Sequence, residues 1–285
     1  MRIAILGATG LVGSFISKQL SKDFDKATII ACSRTKRKGH FLFDPFSDNW
    51  SVLGELDILI NCVGIINETK TASFEKAHVD LARLICINRG SIGQPRIIQI
   101  SAIGAALNSP FLYFESKGRA DELLLQEANT FIVKPSVICS PNSAMVKQLR
   151  NTRVLCLFFL NTLPFPKSNF HIQLQPVLQN DLAELVSELC LVDFAPKVIE
   201  AVGKDVITVR KLFKLLNRFL LLIPVPKKAF DKFFYFVSPL LKLFISKTQY
   251  QLLSNNNIGD PSKMEELLGR PVNGSLDYWR REFKA

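Results

Sequence analysis

Apolar and polar positions along this chain fall into blocks. Residues 3–6 form an unbroken apolar run that passes directly into three glycines, Gly7, Gly10 and Gly13, within MRIAILGATGLVG. Residues 15–20 then carry helical spacing. Further apolar runs predict strands at 27–32 (ATIIAC), 40–44 (HFLFD), 56–63 (LDILINCV), 96–100 (RIIQI) and 130–133. Between them, 74–88 places Ala77, Leu81, Leu84 and Ile85 on one helical face. Continuously apolar strands alternating with helices are the pattern of a parallel sheet buried on both faces. The expected fold class is therefore α/β, a doubly wound parallel sheet.

Past strand six the alternation weakens. Residues 155–166 are apolar and broken by prolines, 172–177 lead into a helix over 180–190, and 198–202 (VIEAV) read as another strand. A strongly apolar helix is expected over 208–222, followed by 227–245, where Phe230, Phe233, Phe234, Phe236 and Phe244 lie among lysines. This divides the chain into a sheet domain, 1–150, and a region, 151–285, that completes the sheet and forms a smaller, mostly C-terminal lobe.

The glycines sharpen the first domain. In a strand-turn-helix unit the spacing GxxGxxG lets Gly7 make the tight turn, Gly10 bring the main chain close to a pyrophosphate, and Gly13 pack helix on strand, with the helix N-terminus aimed at the phosphates. The fold is thus Rossmann-type and the expected ligand a dinucleotide. Strand two ends in Ser33-Arg34-Thr35-Lys36-Arg37-Lys38, where a site for NAD would carry a carboxylate for the ribose hydroxyls. A hydroxyl and guanidinium there suit a 2′-phosphate instead, which points to NADP(H). The candidate cofactor contacts are Gly7, Thr9, Gly10, Leu11, Val12 and Gly13 at the turn, Ser33, Arg34 and Arg37 after strand two, Asp44 near the adenine, Cys62, Val63 and Gly64 after strand four, Lys117, and Pro135 with Val137 after strand six.

Composition adds constraints. The 285 residues carry a net charge of +11, 48% hydrophobic residues and 22 Phe. Such a balance suits an anionic ligand or membrane surface; no RNP-like or zinc-finger motif accompanies it, so no nucleic acid is expected. Cys32, Cys62, Cys86, Cys139, Cys156 and Cys190 form no CxxC pair and read as small buried hydrophobes in a reducing compartment. His40, His78 and His171 are scattered, so no metal is expected. A strand starting at residue 2 leaves no room for a leader before it, and no apolar stretch reaches the ~20 residues that span a bilayer. The expected location is cytoplasmic. The greasy basic stretch 211–247 either roofs a pocket for a small apolar substrate or makes peripheral contact with an inner membrane or a membrane complex.

Candidate chemistry lies near strand five. Ser101 closes that strand, and Tyr113-Phe114-Glu115-Ser116-Lys117 follows, a YxxxK that puts Tyr113 and Lys117 on one helix face. An ammonium beside a phenol favours the phenolate, which lowers the pKa towards a value useful for proton transfer, and Lys117 can also bond a nicotinamide ribose. Ser101, on the ligand-binding edge of the sheet, is placed to hold a substrate carbonyl.

These motifs together, GATGLVG, NCVG, ISAIGA, YFESK, VKPSV and LQPVLQNDLAELV, resemble the short-chain dehydrogenase/reductase superfamily, in its extended or atypical branch of epimerase/dehydratase-like proteins. KAHVDLARL, ISAIGA and NNNIGDPSKMEELLGR are similar to the group related to the 39 kDa accessory subunit of respiratory complex I. The resemblance implies an oxidoreductase that transfers hydride to or from an apolar carbonyl or alcohol, with Tyr113 as acid/base, Lys117 as its modulator and Ser101 as substrate orienter. Classical members place an Asn where this chain aligns His78, and several atypical members bind NADPH without known turnover. The alternative is accordingly a non-catalytic NADPH-binding structural or assembly protein of a membrane complex.

Overall fold

The computed structural model describes residues 1–143, 146–147, 161–216, 220–232, 250–251 and 253–283. Its main sheet has seven parallel strands: β1 (Arg2–Leu6), β2 (Thr28–Ser33), β3 (Phe41–Leu42), β4 (Ile58–Asn61), β5 (Arg96–Ile100), β6 (Thr130–Pro135) and a late strand, Val198–Ala201. Their spatial order is β3-β2-β1-β4-β5-β6 followed by Val198–Ala201. The order reverses between β1 and β4, and ligands of such sheets bind in the crevice that this reversal opens at the strands' C-terminal ends.

Burial explains why the strands read as continuous apolar runs. Ile3, Ala4 and Ile5 of β1 and Leu59 and Ile60 of β4 are fully covered, because helices lie on both faces of the sheet. Each such Ile or Leu contributes roughly 1.5–3 kcal/mol through removal from water. Helix α1 (Leu11–Asp23) buries Gly13, Ile16 and Leu20, and the helix Gln179–Leu191 packs beside it, tied by Ser187 Oγ donating to Asp23 at 2.7 Å. Before α2 (Leu81–Asn88) the chain makes a wider π turn, Glu75–Asp80, in place of a single continuous helix over 74–88. Helix α3 (Leu112–Leu125) buries Phe114, Ala120 and Leu124, and with them Lys117 and Asp121.

Two compact units interleave along the chain. The first comprises Met1–Pro135, Gln179–Ala201 and Asp260–Val272; the second comprises Ser136–Leu178, Val202–Gly259 and Asn273–Ala285. The second unit has its own core, in which Phe165 meets Phe213 and Phe230 at ring-centroid distances of 5.1 and 5.9 Å beside buried Leu212 and Trp279. The helix expected over 208–222 is shorter here. It spans Val209–Leu216, and Leu221–Val225 is instead a strand parallel to Thr162–Pro166. Pro224 and Pro226 explain the change, since a residue before proline is driven out of helical geometry into extended backbone. The Phe-rich stretch 233–245, the apolar segment 155–160 and Cys156 lie outside the described residues. Among the described residues no helix is long and apolar enough to cross a membrane.

Arg89 shows how the first unit closes below the sheet. Its guanidinium is buried, donating to the carbonyls of Pro95 (3.2 Å) and Ala128 (2.7 Å) and pairing with Glu127 at 3.1 Å. Truncation strands those carbonyls without a donor. Arg89→Met is expected to lower unfolding free energy by about 2–4 kcal/mol, measured by urea denaturation; a loss under about 0.5 kcal/mol would mean that water replaces the guanidinium.

Candidate functional site

The glycine turn is built as its spacing requires. Gly7 has φ +74°, a left-handed value that a side chain disfavours, and a Cβ there would stand 2.9 Å from the Val63 nitrogen. A Cβ on Gly13 would collide with the Gly7 carbonyl oxygen and lie 2.8 Å from Ala8 Cα. Gly10 N–H donates to Gly7 O at 2.9 Å and Gly10 itself caps α1. No side chain caps this helix and its first turn holds no acid, so the N–H groups at Leu11, Val12 and Gly13 are left for an anion.

In front of the turn lies a cleft of about 210 Å³ whose walls include Gly7, Thr9, Gly10, Ser33, Arg34, Cys62, Val63 and Gly64. Eight of the expected cofactor contacts are thereby brought to one place. Asn61 secures the β4 wall: its side-chain oxygen accepts from Val63 N–H (3.1 Å) and its amide donates to Gln99 (2.7 Å). Ser33 Oγ donates to Thr35 O at 2.8 Å, which curls the chain after β2 and leaves Arg34 exposed at the cleft. Burial pushes the Cys62 thiol there up to about 12, against a smaller opposite pull from Lys117. The residues present fit a dinucleotide: a cradle that only glycine can form, an uncapped helix N-terminus and a cation after β2.

Other expected contacts fall elsewhere. Asp44 does not line the cleft; its carboxylate accepts from Phe46 N–H at 3.1 Å and shapes the turn after β3. Arg37 is exposed in the loop after β2, also outside the lining. Pro135 ends β6 and its carbonyl accepts from Ile103 N–H (3.0 Å). Val137 belongs to the second unit, where its N–H donates to Asn257 at 3.2 Å. Spacing did not reveal the remaining walls, Phe43, Pro45 and Phe46 after β3 with Thr71, Ala72, Lys76 and Ala77 before α2. Pro45, Phe46, Thr71 and Ala72 come from loops whose course no periodicity records; Phe43 falls in the strand expected over 40–44 and Lys76 and Ala77 in the helix expected over 74–88, where periodicity gives the element and not the cleft.

The three candidate catalytic residues cluster behind Gly64 and not in the cleft lining. Lys117 Nζ lies 5.9 Å from the Tyr113 ring centroid and donates to Ile100 O at 3.1 Å; a Cβ on Gly64 would meet it at 3.5 Å. Burial lowers the Lys117 pKa, and Asp121 and Cys62 oppose that. The Tyr113 phenol moves the other way from the direction read in the YxxxK spacing: burial, then the Asp121 carboxylate, push it up from its ordinary value. Ser101 is bonded within the same cluster. It is buried, and its hydroxyl donates at 2.6 Å to Asp121, whose other oxygen has no partner. Asp121, one turn beyond Lys117, completes the face Tyr113, Lys117, Asp121; its four-residue step from Lys117 was the available signal.

His78 is fully used by the fold. Ile65 N–H donates to Nε2 at 3.3 Å, so Nδ1 carries the proton and donates to Ser116 Oγ at 2.8 Å; that hydroxyl donates to Tyr113 O at 3.0 Å. Desolvation, then the Lys117 charge, lower its pKa from 6.5 to about 3. Between those pH values the unfolded chain takes a proton that the folded one refuses. Stability should therefore be full above pH 6.5 and fall towards pH 3 by up to about 1.4 kcal/mol per unit. Urea titrations across pH 4 to 8 should give a shallower slope for His78→Asn than for the parent; parallel slopes would place His78 in water.

No protein-family profile matches the chain. A curated relative, subunit 9 of the NADH dehydrogenase [ubiquinone] 1 alpha subcomplex, mitochondrial, from Arabidopsis thaliana, is 25% identical over 237 residues, 74% of this chain. The chain spans 56% of that relative's length. Among solved structures, a nucleoside-diphosphate-sugar epimerase from Staphylococcus aureus superposes with TM-score 0.71 at 16% identity, covering 98% of this chain and 100% of its own. UDP-glucuronic acid 4-epimerase from Bacillus cereus, in complex with UDP-glucuronic acid and NAD, gives 0.69 at 12% identity over 99% and 98%. RMD from Pseudomonas aeruginosa, complexed with NADPH, gives 0.64 at 14% identity over 98% and 99%. The strand order, the glycine cradle and these likenesses agree on the fold: a doubly wound, Rossmann-type parallel sheet similar to that of these epimerases.

Proposed function

We propose that the chain binds NADP(H) at the cleft of its first unit, and that the bound nucleotide acts as a structural element in a subunit or assembly partner of a membrane respiratory complex. The observation that carries this reading is the bonding of the side chains that hydride-transfer chemistry would need. The Ser101 hydroxyl is given to buried Asp121 at 2.6 Å and both ring nitrogens of His78 are engaged, leaving neither to orient a substrate or pass on a proton. Arg34 at the cleft, with no carboxylate closing β2, favours the 2′-phosphate form. The Arabidopsis thaliana relative, a subunit of NADH dehydrogenase, supports the assembly role.

A second reading, an oxidoreductase acting on an apolar carbonyl or alcohol, is favoured by Lys117, whose ammonium stays beside Tyr113 and directly behind Gly64. The nicotinamide of the cofactor would supply the hydride. Tyr113 would then deliver or remove the proton at the substrate oxygen, with Lys117 stabilising the phenolate once ligand excludes water.

Thermal shift with NADPH, followed by turnover assays, separates the two. NADPH at about 100 times its Kd should stabilise the full chain by about 2.7 kcal/mol. Arg34→Gln should lose most of that gain, Tyr113→Phe should keep it, and quinones and apolar ketones should leave the bound NADPH unoxidised. Turnover in the parent that Tyr113→Phe abolishes would establish the enzyme in place of the scaffold.

A further inference from the structure

We infer that Lys76 is a second cation of the adenosine end, selecting a ribose 2′-phosphate together with Arg34 although it comes from a different wall of the cleft. The inference rests on the NADP(H) reading above. Arg34 follows β2, whereas Lys76 lies on the π turn that precedes α2; both line the same cleft.

Charge around Lys76 is arranged so that its ammonium has no carboxylate. Its neighbour Glu75 is taken in bidentate fashion by Arg119 at 2.7 and 2.9 Å, and Asp80 pairs with Arg83 at 2.9 Å. Asp44 and Asp48, the acids nearest in sequence to Phe46 in the opposite wall, hold their own turn: Asp44 accepts from Phe46 N–H at 3.1 Å and Asp48 from Asp44 N–H at 2.7 Å. Among the described residues Lys76 Nζ forms no ion pair, and it stands 5.1 Å from the centroid of the Phe46 ring, across the cleft wall. A cation held over an aromatic face by this modest attraction is readily given up to a phosphate dianion, a far stronger partner.

The Lys76 main chain is fixed. Its N–H donates to Ser73 Oγ at 3.1 Å, Phe74 N–H donates to Glu68 at 2.8 Å, and Thr69 Oγ1 accepts from Ala72 N–H at 3.1 Å. The loop thus fixes the point on the cleft wall from which the side chain starts. Phe46, backed by buried Phe43, supplies an apolar surface on the same side, suited to an adenine face.

Isothermal titration of the full chain with NADPH and with NADH tests this. Lys76→Met keeps the stem that packs on Phe46 and removes the charge. It should weaken NADPH about tenfold and leave NADH within twofold, with a shallower salt dependence of NADPH binding. Lys76→Arg should restore NADPH affinity, and Lys70→Met, a cation of the same loop outside the cleft lining, should change neither ligand. Equal losses for both nucleotides, or no loss for either, would overturn the role of Lys76. A parent chain that binds neither nucleotide would instead overturn the reading on which it rests.

Discussion

The constraint on which the site depends is the approach of α1 to the end of β1. Gly13 lies against the Gly7 carbonyl and Ala8 Cα with no room for a side chain, and Gly7 turns through a left-handed conformation against the Val63 nitrogen. That contact aims an uncapped helix N-terminus across the point where the strand order reverses. The phosphate-binding geometry is therefore a property of main chain and packing. In the proposed complex side chains would enter at the ends of the ligand, where Arg34 and Lys76 would supply charge and Phe46 an apolar wall.

A second network runs beneath the cleft on α3. Tyr113, Lys117 and Asp121 share one face, and burial raises the phenol and the carboxyl while lowering the amine. All three shifts favour neutral forms, as expected where water is excluded. Ser101, Lys134 and the Ile100 carbonyl supply the contacts that make the two charged groups tolerable there. The residues that mark an oxidoreductase in the sequence are in this way bonded into the fold. His78, with both nitrogens satisfied, belongs to the same fabric.

Much of the first unit could be read from residues alone, because a buried parallel strand is apolar throughout and a glycine cradle admits no other residue. β1, β5 and the helix Gln179–Leu191 lie within about a residue of their expected spans, and the turn from Gly7 to Gly13 behaves as its spacing implied. Harder to read were features set by partners distant in sequence. Ser101 has a hydroxyl suited to a substrate, and only the packing of α3 on β5 reveals that Asp121 receives it. Lys76 and Phe46 are thirty positions apart and meet through two loops. Leu221 and Leu222 continue a helical pattern, yet pair with Thr162 and Leu163 in a strand because prolines follow. A late strand completing the sheet was legible at 198–202, whereas the bounds of the returning segments, 179–201 and 260–272, are a matter of topology that hydropathy does not encode.

The central claim is that the glycine cradle and its flanking cations hold a 2′-phosphorylated nicotinamide dinucleotide. Native mass spectrometry of the full chain, purified without added nucleotide and then denatured to release what it carries, tests it most directly. The account predicts a stoichiometric species with the mass of NADP or NADPH. Release of NAD or NADH alone, or a chain that carries nothing and takes up neither form when supplied, would contradict it.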